Sequence, residues 1–174
     1  MLVFLIGYMG AGKSTGGQRL ARRLGVPFYD TDRMVEKRSN ASISEIFEAQ
    51  GEAEFRKMER DVIRGLIEGG GQAVVSTGGG APCHFDTMDR MHDAGVTIYL
   101  KVPIEKLVER LTSSRKLSVR PLLHGVDAAD LPAKIVEHLA EREPYYARAS
   151  MIVDGQVFES ERVESVAQLI ESLS

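Results

Sequence analysis

The first 24 residues place the tightest constraint on how this chain folds. Residues 2–6 are all apolar, and residues 7–15 read GYMGAGKST, which matches the pattern G-x-x-x-x-G-K-[ST] at every fixed position. The apolar run is typical of a buried parallel strand, and residues 18–24 are typical of a helix. A strand, a glycine-rich loop and a helix in this order predict a P-loop, which we favour over a glycine turn that binds nothing.

The chemistry of a P-loop comes mostly from its backbone. Glycines let the chain turn tightly, so that successive N–H groups and the positive end of the helix point at phosphate oxygens. Lys13 is expected to reach the β- and γ-phosphates, and the hydroxyl of Ser14 is expected to ligate Mg²⁺, the predicted cofactor. The predicted nucleotide-binding residues of the loop are Gly10, Ala11, Gly12, Lys13, Ser14 and Thr15.

Length and charge narrow the class of protein. A chain of 174 residues suits a single domain, which we expect to span residues 1–174. The net charge is −3 and the basic residues are dispersed, so the charge pattern does not favour a nucleic-acid partner. No apolar run approaches the roughly 20 residues that cross a bilayer, and the first strand lacks the features of a signal peptide. We therefore expect a cytoplasmic monomer with no membrane partner.

The single cysteine, Cys83, excludes a disulfide within the chain and fits a reducing compartment. His84 follows it, and such a pair could ligate a metal. The other histidines, at positions 92, 124 and 138, show no ligand spacing relative to this pair. A zinc site is therefore not predicted.

Two carboxylates follow the second predicted strand. The first helix should close near Gly25, and residues 26–29 should form a short strand that ends in Asp30, Thr31 and Asp32. Ligands of open α/β sheets collect beyond the carboxyl ends of the strands, so both carboxylates should face the same crevice as the P-loop. Either aspartate could instead cap the next helix. We favour a functional role for the pair, because two acids flank one residue beside a P-loop.

The next helical region carries a row of arginines. A short capped helix begins near residue 43, and Gly51 separates it from a longer helix that runs to about residue 66. Three arginines of the longer helix lie four residues apart and share one face: Arg56, Arg60 and Arg64. The simplest interpretation is a solvated face paired with acidic neighbours, namely Glu52, Glu59 and Asp61. We adopt it for Arg60 and Arg64, whereas position alone does not single out Arg56.

Three glycines, at positions 78–80, follow the third predicted strand. Glycines at the carboxyl end of a strand can bring backbone N–H groups close to a ligand, although a flexible turn is equally compatible with them. A typical P-loop protein ends a strand here with an aspartate for Mg²⁺, but this chain has Ser76 and Thr77. The pair Asp30 and Asp32 is therefore the favoured source of the second metal contact, ahead of Asp154 at the end of the last strand.

The remaining chain supplies two more strands and a long connection. Residues 96–100 and 151–153 are the fourth and fifth predicted strands, and Pro103 fits the first turn of a helix. Between about residues 112 and 126 helical periodicity stops over a stretch that is long for a compact domain, which favours an active-site lid. Arg120 is the lid residue best suited to bring positive charge over a nucleotide, whereas Arg115 and Lys116 are expected to be solvated.

The carboxyl-terminal third should be mainly helical. A helix is predicted over about residues 132–142, and Pro144 should interrupt it before two tyrosines. The tail from residue 163 to 173 repeats apolar residues at helical spacing and should cover the sheet. Five strands alternating with helices predict a three-layer α/β/α domain around a parallel sheet.

Six segments taken together resemble shikimate kinase. They are the P-loop, D-T-D at 30–32, F-R-K-M-E at 55–59, T-G-G-G at 77–80, R-P-L-L at 120–123 and R-E-P-Y-Y at 142–146. They cover nearly the whole chain, and their order and spacing are far more selective than the P-loop alone. The resemblance implies ATP-dependent phosphorylation of the 3-hydroxyl of shikimate, in the pathway to chorismate and the aromatic amino acids. It also implies a P-loop NTPase fold with a five-stranded sheet ordered 2-3-1-4-5.

The resemblance further implies roles for individual residues. Asp30 would support Mg²⁺ through water, Arg120 would close over ATP with the lid, and Arg110 would lie along the adenine. The catalytic residues would be Asp32, Lys13 and Arg120. The substrate-binding residues, in and beyond a helical region at about 32–65, would be Asp32, Arg56, Gly78, Gly79, Gly80 and Arg142. Guanidinium forks on Arg56 and Arg142 match the carboxylate of shikimate, and the carboxylate of Asp32 matches its hydroxyl.

Two departures from the family pattern and two rival functions complete the analysis. Gly16 follows Thr15 where the family usually has an apolar residue, and the lid between Arg110 and Arg120 is longer. One rival is another small-molecule kinase of this fold, such as a gluconate kinase, and the two substrate arginines with the triple glycine argue against it. The other rival is a nucleotide-binding relative without catalysis. Intact residues of the nucleotide site argue against that rival, namely Lys13, Ser14, Asp32 and Arg120.

Overall fold

The computed structural model describes residues 1–113, 121–156 and 163–172. The described residues form five strands: β1 Leu2–Ile6, β2 Phe28–Asp30, β3 Ala73–Ser76, β4 Gly95–Lys101 and β5 Met151–Asp154. They also form seven α-helices: α1 Lys13–Leu24, α2 Thr31–Ser39, α3 Ile43–Gly69, α4 Thr87–Ala94, α5 Ile104–Ser113, α6 Leu131–Tyr146 and α7 Val163–Glu171. Short 3₁₀ turns cover Ala81–Cys83 and Pro121–Leu123. None of the helices in these three ranges is long and apolar enough to span a membrane.

All five strands are parallel and lie in the order β2-β3-β1-β4-β5. The central strand β1 pairs with β3 from Leu2 opposite Ala73 to Leu5 opposite Ser76, and it pairs with β4 on its other side. This arrangement confirms the predicted α/β/α fold and the strand order 2-3-1-4-5. Because parallel strands end at one edge of the sheet, the segments after β1, β2 and β3 meet there.

The apolar run of β1 is buried on both faces of the sheet. Val3 and Leu5 point into a core that includes Leu20 of α1 and Ile170 of α7. Alternate residues of β1 point into a second core on the opposite face, built with α3, α4 and the end of α6; they are Leu2, Phe4 and Ile6. A third apolar cluster joins α2 to α3 through Val35, Ile46, Phe55 and Val62. Two-sided burial explains why this strand is continuously apolar.

Local sequence signals set most helix ends. Gly25 caps α1 in the left-handed conformation, with φ of 68°. Ser42 and Glu45 form a capping box at the start of α3. Gly51, with φ of 81° and ψ of 170°, breaks the helical geometry inside α3, as the sequence predicted. Gly17 in α1 serves packing, because a Cβ there would lie 2.6 Å from the ring of Phe28.

Two elements differ from the sequence prediction. Helix α4 was not predicted, because it has only eight residues and buries few apolar side chains, chiefly Met88 and Met91. The prediction that Pro144 interrupts its helix is wrong, since α6 runs through Pro144 to Tyr146. Proline removes one backbone hydrogen bond, but Tyr146 is completely buried in the core beyond it, and this packing holds the last turn in place.

Candidate active site

The P-loop follows β1 and wraps around the start of α1. Gly12, the residue before the helix, has φ of 91°, a left-handed conformation that favours glycine. The ammonium group of Lys13 is buried and donates hydrogen bonds to the carbonyls of Gly7, at 2.7 Å, and Tyr8, at 3.0 Å. These contacts fold the lysine back over the loop, where it faces the space that phosphates would occupy.

A cavity of about 380 Å³ lies over this loop, and we call it the P-loop cavity. Its lining includes the predicted nucleotide residues Gly10, Gly12, Lys13, Ser14 and Thr15, together with both aspartates of the D-T-D segment. Arg110 of α5 also lines the cavity, and its Nη1 donates to the carbonyl of Gly10 at 3.0 Å. The structure therefore brings Arg110 to the rim of the predicted nucleotide site.

Side-chain oxygens from three segments, which could ligate a metal ion, meet at the floor of this cavity. The hydroxyl of Ser14 donates to Oδ2 of Asp30 at 2.6 Å and lies 3.3 Å from the hydroxyl of Ser76. Mg²⁺ is usually bound by one or two such side chains together with phosphate oxygens and water, so these residues fit the ion. Asp154 is exposed, and its carboxylate accepts from the backbone N–H of Gln156, away from this floor.

The two aspartates of the D-T-D segment differ in what their side chains contact. Oδ1 of Asp30 accepts from the backbone N–H of Arg33, so Asp30 caps α2 while its other oxygen binds Ser14. Asp32 lies in the first turn of α2 and lines both the P-loop cavity and a second cavity beside it. The alternative that an aspartate caps the next helix is therefore confirmed for Asp30, while its role at the metal stays a prediction. Asp32 lines both cavities.

The second cavity has a volume of about 420 Å³ and shares Met9, Ser14, Asp30, Asp32 and Gly79 with the first. We call it the acceptor cavity. Its charged lining includes Asp32 of α2, Arg56 and Glu59 of α3, and Arg142 of α6. Pro121 and Leu122 contribute apolar surface from the described part of the predicted lid. The residues predicted to bind substrate thus converge on one cavity, although they come from distant parts of the sequence.

Burial separates Arg56 from the other arginines of α3. Arg56 is only 5% exposed, and its guanidinium contacts Glu52 at 2.8 Å and Glu59 at 2.5 Å. Arg60 and Arg64 lie near the surface and pair with exposed carboxylates, which confirms the interpretation given to them. The fork of Arg56 is thus fixed by two carboxylates at the wall of the acceptor cavity.

Glu59 is a site residue that the sequence analysis placed on a solvated face, and that placement is wrong. Its side chain is 1% exposed, and its Oε1 has no hydrogen-bond partner among the described residues. Burial, reinforced by the charge of Asp32, raises the pKa of Glu59 to about 7, although Arg56 and Arg142 oppose the shift. Two sequence signals could have linked it to the site, namely its position three residues after Arg56 and its place in the F-R-K-M-E segment.

The triple glycine forms the edge of the acceptor cavity, and charged groups crowd two of its members. A Cβ on Gly78 would lie 2.0 Å from Oε1 of Glu59 and 2.8 Å from Oδ1 of Asp32. A Cβ on Gly80 would lie within 2.7 Å of the guanidinium of Arg56. Glycine is therefore required here for space, so that the backbone can approach these charged groups.

Arg142 completes the positive charge of the acceptor cavity. It is 8% exposed, and its guanidinium carbon lies 5.4 Å from the centre of the Tyr8 ring. Its Nη1 has no hydrogen-bond partner in the described part of the chain. An unsatisfied, buried guanidinium nitrogen in a polar cavity is suited to an anionic ligand.

Some predicted residues lie outside the described ranges. Arg120 of the predicted lid is one of them, and Arg115 and Lys116 are two others. Ala11, a residue of the P-loop itself, is buried in the core and does not line the cavity.

Comparison with known proteins identifies close relatives of the chain. A family model described as shikimate kinase matches residues 9–174. A shikimate kinase of Parabacteroides distasonis is 44% identical over 154 residues, which cover 88% of this chain and 87% of the relative.

Solved structures of shikimate kinases have the same fold. The enzyme of Bacteroides thetaiotaomicron superposes with a TM-score of 0.87 at 38% identity, over 99% of this chain and 97% of the other. The enzyme of Acinetobacter baumannii, solved in complex with shikimate, superposes with a TM-score of 0.84 at 33% identity, over 99% and 91% of the two chains.

Proposed function

Because this chain belongs to the shikimate kinase family and phosphorylates shikimate with ATP, we propose that its two adjoining cavities divide the substrates between them. ATP occupies the P-loop cavity and shikimate occupies the acceptor cavity. The observation that carries this assignment is the set of residues that line both cavities, among them Asp32 and Gly79. A γ-phosphoryl group and a substrate hydroxyl would meet only at this shared wall.

Asp32 is the proposed catalytic carboxylate. It faces both cavities from the first turn of α2, so it can accept a hydrogen bond from the 3-hydroxyl of shikimate and orient the oxygen towards ATP. Phosphoryl transfer depends chiefly on positioning and charge neutralisation, and the proton of the hydroxyl can pass to Asp32 late in the reaction.

The P-loop supplies the positive charge that the transfer needs. Lys13 exchanges its contacts with the carbonyls of Gly7 and Tyr8 for the β- and γ-phosphates. Ser14 and Asp30 are the proposed residues for Mg²⁺, which would neutralise charge on the phosphates when bound. Arg120 is proposed to add charge from the lid, and Arg110 is proposed to line the adenine.

Arg56 and Arg142 are the proposed carboxylate clamp for shikimate. Both are buried and line the acceptor cavity from different helices. Gly78, Gly79 and Gly80 are the proposed edge of the shikimate site. Because they lack a Cβ, the side chains that would bind shikimate can pack against the loop, with Asp32 beside Gly78 and Arg56 beside Gly80. This arrangement favours a small anion with hydroxyl groups, which needs cations for its carboxylate and a carboxylate for its reacting hydroxyl.

We also propose that the protein is a cytoplasmic monomer that acts on small molecules and has no membrane partner. The net charge of −3 does not favour a nucleic-acid partner either.

Shikimate-dependent consumption of ATP tests the whole proposal. Purified protein with Mg-ATP should produce ADP when shikimate is added and only a trace without it. Gluconate at the same concentration serves as the control acceptor. Equal turnover with gluconate, or none with shikimate, would refute the assignment.

A further inference from the structure

Two buried side chains hold the backbone of the triple glycine without lining the acceptor cavity themselves. We propose that Thr31 and Tyr146 are positioning residues, which fix Gly78 and Gly79 in the arrangement that receives shikimate. The inference rests on the proposed placement of shikimate in the acceptor cavity. It adds two residues to the machinery of substrate binding.

Thr31 holds the start of the loop. It lies between Asp30 and Asp32, but its side chain points away from the cavities and is completely buried. Its hydroxyl oxygen accepts a hydrogen bond from the backbone N–H of Gly78 at 3.0 Å. The same residue therefore links the glycine loop to the turn that positions Asp32.

Tyr146 holds the middle of the loop. Its hydroxyl donates to the carbonyl of Gly79, and the side chain is 0% exposed. The ring packs against Tyr99, with 5.0 Å between the ring centres. Burial raises the pKa of Tyr146, so the hydroxyl keeps the proton that it donates.

Tyr146 also connects the loop to the carboxylate clamp. It follows Arg142 by one helical turn, because α6 continues through Pro144. A Cβ on Gly79 would lie 3.5 Å from Nη1 of Arg142, so the guanidinium lies next to the glycine whose carbonyl Tyr146 binds. The hydroxyl of Tyr146 thus holds the loop at the point where the loop lies beside Arg142.

The loop needs such support because glycine has the greatest backbone freedom of any residue. The loop has no side chains of its own to anchor it. Gly79 also lies close to the P-loop, since a Cβ added to it would be 3.4 Å from the backbone of Gly7 and Met9. A small displacement would misplace shikimate relative to ATP, and misplacement of about 1 Å can reduce rates about 100-fold. Fixed glycines therefore prepare the acceptor cavity before substrate arrives.

The test uses two variants that each remove one hydrogen bond and little volume, Tyr146→Phe and Thr31→Val. A net loss of one buried hydrogen bond corresponds to about a fivefold change in an equilibrium constant. The shikimate KM of each variant should rise about fivefold or more, while the ATP KM stays within about twofold of wild type. If one variant does not fold, the other still tests the proposal.

Tyr99→Phe is the matched control. It belongs to the same ring pair, and its hydroxyl donates to Glu143 at 2.7 Å, away from the glycine loop. It should lower the melting temperature as Tyr146→Phe does, while both KM values stay unchanged. An unchanged shikimate KM in Tyr146→Phe and Thr31→Val, parallel rises in both KM values, or an equal rise in Tyr99→Phe would each overturn the proposal. Failure of the wild-type protein to use shikimate would instead refute the proposed function.

Discussion

Replacement of Arg56 by alanine should weaken shikimate binding far more than ATP binding. The guanidinium lies in the wall of the acceptor cavity, 5% exposed, while the P-loop cavity has no contribution from it. Hydrogen bonds to charged groups are worth about 1.5–3 kcal/mol, which corresponds to a rise in the shikimate KM of about 10- to 150-fold. The ATP KM should change by less than about threefold.

The substitution should also affect stability, through Glu59. Breaking a buried ion pair costs about 3–5 kcal/mol when the remaining charge stays ionised. Glu59 already has a pKa of about 7, and losing the charge of Arg56 would raise this pKa further, so the carboxyl can take up a proton at neutral pH. The double variant Arg56→Ala/Glu59→Gln should therefore recover stability without recovering the shikimate KM.

The assay is steady-state ADP production with each substrate varied in turn, together with thermal unfolding of every variant. Arg60→Ala is the control, because Arg60 lies one turn further along α3, and its ion pair with Asp61 is near the surface. An exposed pair contributes at most about 1 kcal/mol, and the KM values should not change. Parallel rises in both KM values of Arg56→Ala, or an equal effect in Arg60→Ala, would refute the assignment of a carboxylate clamp.

Three further predictions use the same site. Asp32→Asn should lower kcat by about 100- to 10,000-fold while ATP binding by titration calorimetry stays unchanged; a kcat near wild type would remove Asp32 from the catalytic role. Gly80→Ala should raise the shikimate KM about tenfold, because the Cβ would displace Arg56, whereas Gly69→Ala, with open space around its Cβ, should not. The raised pKa of Glu59 means that the native state holds a proton more tightly than the unfolded chain. The free energy of unfolding should therefore fall by up to about 3 kcal/mol between pH 4.5 and 7. Denaturant titrations across this range should show a smaller fall in Glu59→Gln, and an equal fall would contradict the pKa.

Local patterns were sufficient for most of the fold. The apolar run of β1, the glycine that closes α1 and the capping box of α3 are signals within a few residues, and each was confirmed. The two exceptions have different causes. Helix α4 buries too few apolar residues to be recognised, and the burial of Tyr146 overrides the local effect of Pro144.

The candidate site was predicted as a set of residue types at strand ends, and the structure placed all the described members around two adjoining cavities, except Ala11. The chemistry of individual residues was harder to assign. Spacing placed Arg56, Arg60 and Arg64 on the same face of one helix, and only the tertiary structure, which brings the glycine loop against Arg56, buries the first of them. Glu59 was assigned to the surface for the same reason, because helical spacing is identical for an exposed and a buried ion pair.

The P-loop, the D-T-D pair and the individual strands follow from patterns that span fewer than ten residues each, since hydrogen bonding and backbone geometry act over that distance. The acceptor cavity follows from contacts across much longer separations: Tyr146 meets Gly79 across 67 positions, and Gly78 meets Thr31 across 47. Such contacts depend on which face of each helix packs against the sheet, and the burial of apolar residues throughout the core determines that face. Sequence patterns therefore identified the residues of the proposed nucleotide site, and tertiary packing arranged the cavity proposed for shikimate.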